Sequence, residues 1–119
     1  MTATVGTVGA AAASARLLGL DAEQTAHALG LAIAQAAGLK SMFGTMSKPF
    51  QVGKAAMNGL LAARLAKKGM TSRTDAIECA QGLADTQSDG FFPAEITSGG
   101  NRAFAVEGNL FKYHAACYL

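Results

Sequence analysis

Apolar positions run almost unbroken through the first third of the chain. From about Val5 to Leu18 nearly every residue is Ala, Gly, Ser, Val or Leu, a composition suited to a helix packed at short axial distance, and Gly19 supplies its stop. Asp21 with Gln24 three residues on forms a capping-box pattern. It opens a second helix that is expected to end near Gly38. Ala22, Ala26, Leu29, Ile33 and Ala37 recur at helical spacing, while Leu31 and Ala32 widen the apolar surface, as in an interior helix. The short link between the two predicts an antiparallel hairpin.

The period lapses in LKSMFGTMSK. Met42, Phe43 and Met46 are expected to anchor this loop onto the body of the protein. A third helix opens at Pro49, whose missing N–H costs nothing at a first helical position. Its broad apolar face is predicted to carry Val52, Ala55, Ala56, Gly59, Leu60, Ala63 and Ala66, with Lys54, Asn58, Arg64 and Lys68 elsewhere. Lys67 and Lys68 suit the C-terminal end of its dipole, and Gly69 ends it. Thr71 or Ser72 can cap a fourth, shorter helix through TDAIECAQGL. Beyond Asp89 the helical period is gone, which reads as loop with a short strand at 103–106.

The expected fold is therefore all-α, an antiparallel helical bundle followed by an irregular C-terminal segment. Composition sharpens this picture. Half of the 119 residues are hydrophobic but only 7% are aromatic and 14 are glycine, which favours closely packed helices over a sandwich or barrel. One domain is the natural reading of that length. A net charge of +2 without a Lys/Arg tract argues against a nucleic-acid partner. Arg16 interrupts the apolar start too early for a membrane span. Cys79 and Cys117 belong to no CxxC or Cys/His pattern, so neither a metal nor a disulfide scaffold is expected, and two isolated thiols fit a cytoplasmic protein.

The most pointed chemistry lies at the start of the third helix. Lys48, read as its cap, has no acceptor for free N–H groups and puts positive charge at the positive end of the dipole. Read alone, it is a solvated surface lysine. Read with its Gly/Thr/Ser-rich approach, it is one half of an anion site whose other half is the open N–H groups around Phe50 to Val52. Other candidates are weaker. His27, one turn after Glu23, makes a local pair, and His114 beside Tyr113 lacks a partner for acid/base work. Nothing sets the separation of Asp85, Asp89, Glu95 and Glu107, as a pair of catalytic carboxylates would need. VGTVGAA lacks the first glycine of a dinucleotide turn, and SGGNR is a plain turn rather than a phosphate loop.

Three stretches carry a resemblance: TATVGTVGAAAASARLLGLDAEQTAHALGLA, GTMSKPFQVGKAAMNGLLAARLAKKGMT and NLFKYHAACYL. Together they resemble the MmgE/PrpD family, which includes 2-methylcitrate dehydratase, cis-aconitate decarboxylase and iminodisuccinate epimerase, with SKPFQVGKAA the most specific part. The resemblance implies a cofactor-independent lyase or isomerase, homodimeric, acting on small di- and tricarboxylates. It places Lys48 among substrate carboxylates as a catalytic and binding cation, with Ser47 beside it. Lys112 aligns with a frequent lysine of unassigned role. The family's upstream acid/base cluster, its later histidine and its lid have no counterpart here, so residues 1–119 are expected to be an internal piece of the helical domain, inactive alone. Self-association through uncovered apolar faces is the corresponding expectation. A non-catalytic helical interaction module is the alternative reading.

Overall fold

The computed structural model describes residues 2–97 and 105–108. Within them the protein is helical, with no strand. Three long helices carry the architecture: α1 (Thr2–Leu18), α2 (Ala22–Ile33) and α3 (Ser47–Lys67). Two five-residue helices follow, α4 (Leu83–Gln87) and α5 (Pro93–Thr97). Ala105–Gly108 forms a 3-10 turn where a short strand was expected, and residues 103 and 104 of that strand lie outside the described residues.

The core is made almost entirely of alanine. Ala3, Thr7, Ala11 and Ala15 repeat every four residues along α1 and are buried. They face Ala55, Asn58, Gly59, Ala62, Ala63 and Ala66 of α3, a stripe with the i, i+3, i+4 spacing of one helix face. Contact between these two helices is so close that a methyl group built on Gly59 would stand 2.5 Å from Ala10 Cβ and 2.6 Å from the backbone nitrogen of Ala11. Lys67 Nζ donates to the Leu18 carbonyl 2.9 Å away, a pairing separated by 49 positions. Gly59 against Ala10 and Gly6 against Ala55 keep the same offset, so α1 and α3 run parallel and in register. Thr7, the one polar side chain buried in α1, spends its hydroxyl on the Ala3 carbonyl at 2.6 Å.

α2 runs back between their ends. The expected capping box is present, with Asp21 Oδ1 accepting from the Gln24 N–H at 2.8 Å and Gln24 Oε1 from the Asp21 N–H at 3.3 Å. Gly19 and Gly69 both adopt positive φ and end α1 and α3 by the same device. In each, the residue after the glycine donates back to the fifth carbonyl before it, Leu20 to Ala15 and Met70 to Leu65.

Four expectations need correcting. α2 ends at Ile33, not near Gly38, because Gln35 and Ala36 turn back three residues for their bonds and Asn58 Nδ2 donates to the Gln35 carbonyl at 3.4 Å. Its buried set is Ala28, Gly30, Leu31 and Ala32: the expected widening at Leu31 and Ala32 is there, whereas none of Ala22, Ala26, Leu29, Ile33 and Ala37 is fully buried. On α3 the buried stripe takes in Asn58 and leaves Val52, Ala56 and Leu60 exposed, because the face turned to α1 is the one through Ala55, Asn58, Gly59, Ala62, Ala63 and Ala66. The predicted fourth helix is a run of hydrogen-bonded turns over 74–82. Ser72 cannot cap it: its hydroxyl donates to the His27 carbonyl at 3.0 Å, and the Asp75 carboxylate is held by Arg73. Among the described residues, no helix is long and apolar enough to cross a membrane.

Candidate functional site

At the end of the bundle where α2 finishes and α3 begins, the backbone is built around Thr45. Its hydroxyl donates to the Met42 carbonyl at 2.7 Å and accepts from the Ser47 N–H at 3.2 Å. Its own carbonyl accepts from the Lys48 N–H at 3.2 Å, and the Phe50 N–H goes to Met46 at 3.3 Å. α3 therefore starts at Ser47, with Met46 as cap and Lys48 and Pro49 inside its first turn. The expectation that Lys48 caps the helix and that open N–H groups around Phe50 to Val52 complete an anion site is overturned: the Phe50 N–H, like those of Ser47 and Lys48, already has an acceptor, and Pro49 has no N–H.

Positive charge is present at this end without them. The first turn of α3 contains no acidic residue, so the positive end of the helix dipole and the Lys48 ammonium share one side. Lys48 Nζ lies 5.4 Å from the centre of the Phe43 ring, within cation–π range. A cleft of about 260 Å³ opens beside it, lined by Ala3, Thr4, Gly38, Leu39, Lys40, Phe43, Lys48, Gln51 and Val52. Two lysines, Lys40 and Lys48, and no acidic residue line this cleft among the described residues.

Ser47 does not join Lys48 there. It lines a neighbouring cleft of about 260 Å³ with Gln35, Lys54 and Asn58. The two clefts share Gly38, Leu39 and Gln51, which form the ridge between them. Gln51 Nε2 donates to the Leu39 carbonyl at 3.3 Å, tying that ridge to α3. Gly38 makes the close approach possible: its φ is +151°, and a Cβ there would stand 2.6 Å from both Ala3 Cβ and Gln51 Oε1.

The loop before the site is not packed down as expected. Phe43 is 61% exposed, Met46 89% and Phe50 66%, and only Met42 is half-buried. The loop takes its order from hydrogen bonds through Thr45 and Gln51 instead.

The other candidates are spent on structure. His27 Nε2 lies 4.0 Å from Glu23 Oε1, the local pair expected, and its Nδ1 meets the backbone of Ser72, 2.9 Å from the oxygen and 3.2 Å from the nitrogen. Asp85 Oδ2 accepts from the Gln81 N–H at 2.9 Å. Arg73 forms a two-pronged pair with Asp75 at 2.9 and 2.7 Å. The guanidinium hydrogen bonds hold the Asp75 carboxyl below its ordinary range. VGTVGAA lies inside α1. Among the described residues, no group of three His, Cys, Asp or Glu could hold a metal ion. Lys112, Tyr113, His114, Cys117 and the whole of SGGNR lie outside the described residues.

Lys40 and Gln51 escaped the sequence reading. A lysine eight residues before another has no periodic signal, and their convergence depends on the turn at Gly38.

Comparison with known proteins identifies the type of domain. The MmgE/PrpD N-terminal domain matches residues 1–95. Cis-aconitate decarboxylase of Homo sapiens is 34% identical over 79 residues, covering 66% of this chain and 16% of that protein. Cis-aconitate decarboxylase of Aspergillus terreus is 41% identical over 81 residues, 67% of this chain and 16% of that protein. The cis-aconitate decarboxylase-like protein oryM of Aspergillus oryzae is 34% identical over 118 residues, 92% of this chain and 24% of that protein. The chain thus spans a quarter or less of the length of these relatives.

Proposed function

The chain belongs to the MmgE/PrpD family, and from that premise we propose that it supplies the carboxylate-binding end of a lyase for small di- or tricarboxylates. The observation that carries this reading is the acid-free cleft in which the Lys48 ammonium is held over Phe43. Loss of carbon dioxide, loss of water and epimerisation all put negative charge on a carbon beside a carboxylate. A fixed cation lowers the barrier by being in place when that charge develops. Decarboxylation is the reaction favoured, because the matched relatives are named for it.

Lys48 contributes binding and charge stabilisation, not proton transfer. No carboxylate or histidine lines its cleft among the described residues, and His27 is committed to Ser72. In an enzyme of the relatives' full length that carries this segment, Lys48→Ala is expected to lower turnover of cis-aconitate about a hundredfold, the scale of removing one charge-stabilising group, with its melting temperature unchanged. Undiminished turnover of every di- and tricarboxylate tried would remove the assignment.

A second reading, a helical interaction module, is favoured by the exposed Met57, Leu60 and Leu61 on α3, a face left uncovered among the described residues. Light scattering on the 119-residue chain separates the two aspects. Self-association is expected, and a monodisperse monomer at high concentration contradicts it.

A further inference from the structure

The cleft beside Lys48 has a second cation, and its position is built rather than incidental. Lys40 opens the 3-10 turn Lys40–Met42, directly after Leu39. The Leu39 carbonyl is held by the Gln51 side chain, one helical turn beyond Lys48 on the same helix. Gly38, immediately before, lies so close to Ala3 and Gln51 that only a residue without Cβ fits. The backbone leading into Lys40 is therefore stapled to α3 and α1, and Lys40 and Lys48 enter one cleft from two separate segments.

We infer that Lys40 is a specificity-determining residue that grips a second carboxylate of the ligand whose first carboxylate is held by Lys48. The inference rests on the carboxylate-binding reading of Lys48 and extends it to a substrate class. Two lysines lining a cleft of about 260 Å³ suit a small acid carrying two carboxylates on a short carbon chain. A monocarboxylate leaves one ammonium unpaired. Among the described residues neither lysine has a carboxylate partner within ion-pair distance, so the second contact breaks no ion pair seen there. Both side chains are exposed, and each pair is correspondingly worth only a few-fold in affinity.

The test compares glutarate with butyrate, which differ by one carboxylate, by chemical-shift titration of the 119-residue chain at low ionic strength. The wild-type chain is expected to prefer glutarate by about threefold, the scale of one exposed ion pair. Lys40→Gln is expected to erase that preference and leave butyrate binding unchanged, whereas Lys48→Gln weakens both acids. Unchanged thermal melts establish that either variant is folded. A Lys40→Gln chain that keeps the preference overturns the role given to Lys40 and leaves that of Lys48 standing. A Lys48→Gln chain that binds both acids like wild type overturns the carboxylate site at Lys48, and failure of the wild-type chain to bind either acid overturns both.

Discussion

The α1–α3 contact and the Lys48 end of the same α3 helix obey opposite rules. Along the contact, alanines with Gly6 and Gly59 hold two helices in parallel register, and only Thr7 and Asn58 among the buried positions are larger. At the Lys48 end, Phe43, Met46 and Phe50 are large and exposed, and the order comes from hydrogen bonds through Thr45 and Gln51. One region is specified by volume. The other is specified by polar staples, which leave a cleft with its cations free.

The comparison breaks first at Gly59. Gly59→Val pushes a branched side chain into the backbone of α1 and is expected to cost about 3 kcal/mol, measured by urea denaturation. Gly53→Ala, on the same helix but with nothing within 4 Å of the new methyl, is expected to gain up to about 1 kcal/mol from helix propensity. Equal effects at the two glycines would show that α1 and α3 are not in close contact.

At the site end, Gly38→Ala is expected to cost about 2 kcal/mol, because alanine is strained at that φ and meets both Ala3 and Gln51. It should also abolish the glutarate preference by displacing the turn that carries Lys40. A folded Gly38→Ala chain with that preference intact would detach the ridge from the site. Phe50→Ser, by contrast, is expected to change stability by no more than about 0.5 kcal/mol, since the ring is largely exposed.

These differences explain what could be read from the sequence. Gly19, the Asp21–Gln24 box and Gly69 are local devices whose partners lie within a few residues, and all three stand where the pattern put them. The start of α3 was misplaced by two residues because Thr45, not Pro49, decides it. Asn58, expected off the apolar face, is buried because its side chain has a purely tertiary partner, the Gln35 carbonyl. Lys48 was singled out by its own oddness as a cation in a helix's first turn. Its companion Lys40 depends on a contact between residues twelve apart, Gln51 and Leu39, which no periodicity reports.

The smallest effect expected is at Arg73 and Asp75, far from either region in character. The Asp75 carboxyl is held low by its guanidinium hydrogen bonds, so its folded-state pKa lies below the unfolded one. Its contribution to stability is complete above the unfolded value of about 4 and is lost as pH falls through the folded value. Because the pair is exposed, the change in melting temperature should be slight, and the clearer readout is the Asp75 carboxyl titration. In Arg73→Gln that titration is expected to return toward the ordinary carboxylate range, and an unmoved titration would remove the pair from the account.

The central claim, that one end of the bundle is a carboxylate site, is tested most directly by following the lysine side-chain resonances during titration with cis-aconitate. Lys40 and Lys48 are expected to shift together and saturate, while Lys67, engaged with the Leu18 carbonyl at the opposite end of α3, stays still. Uniform, unsaturable shifts at all lysines would contradict it.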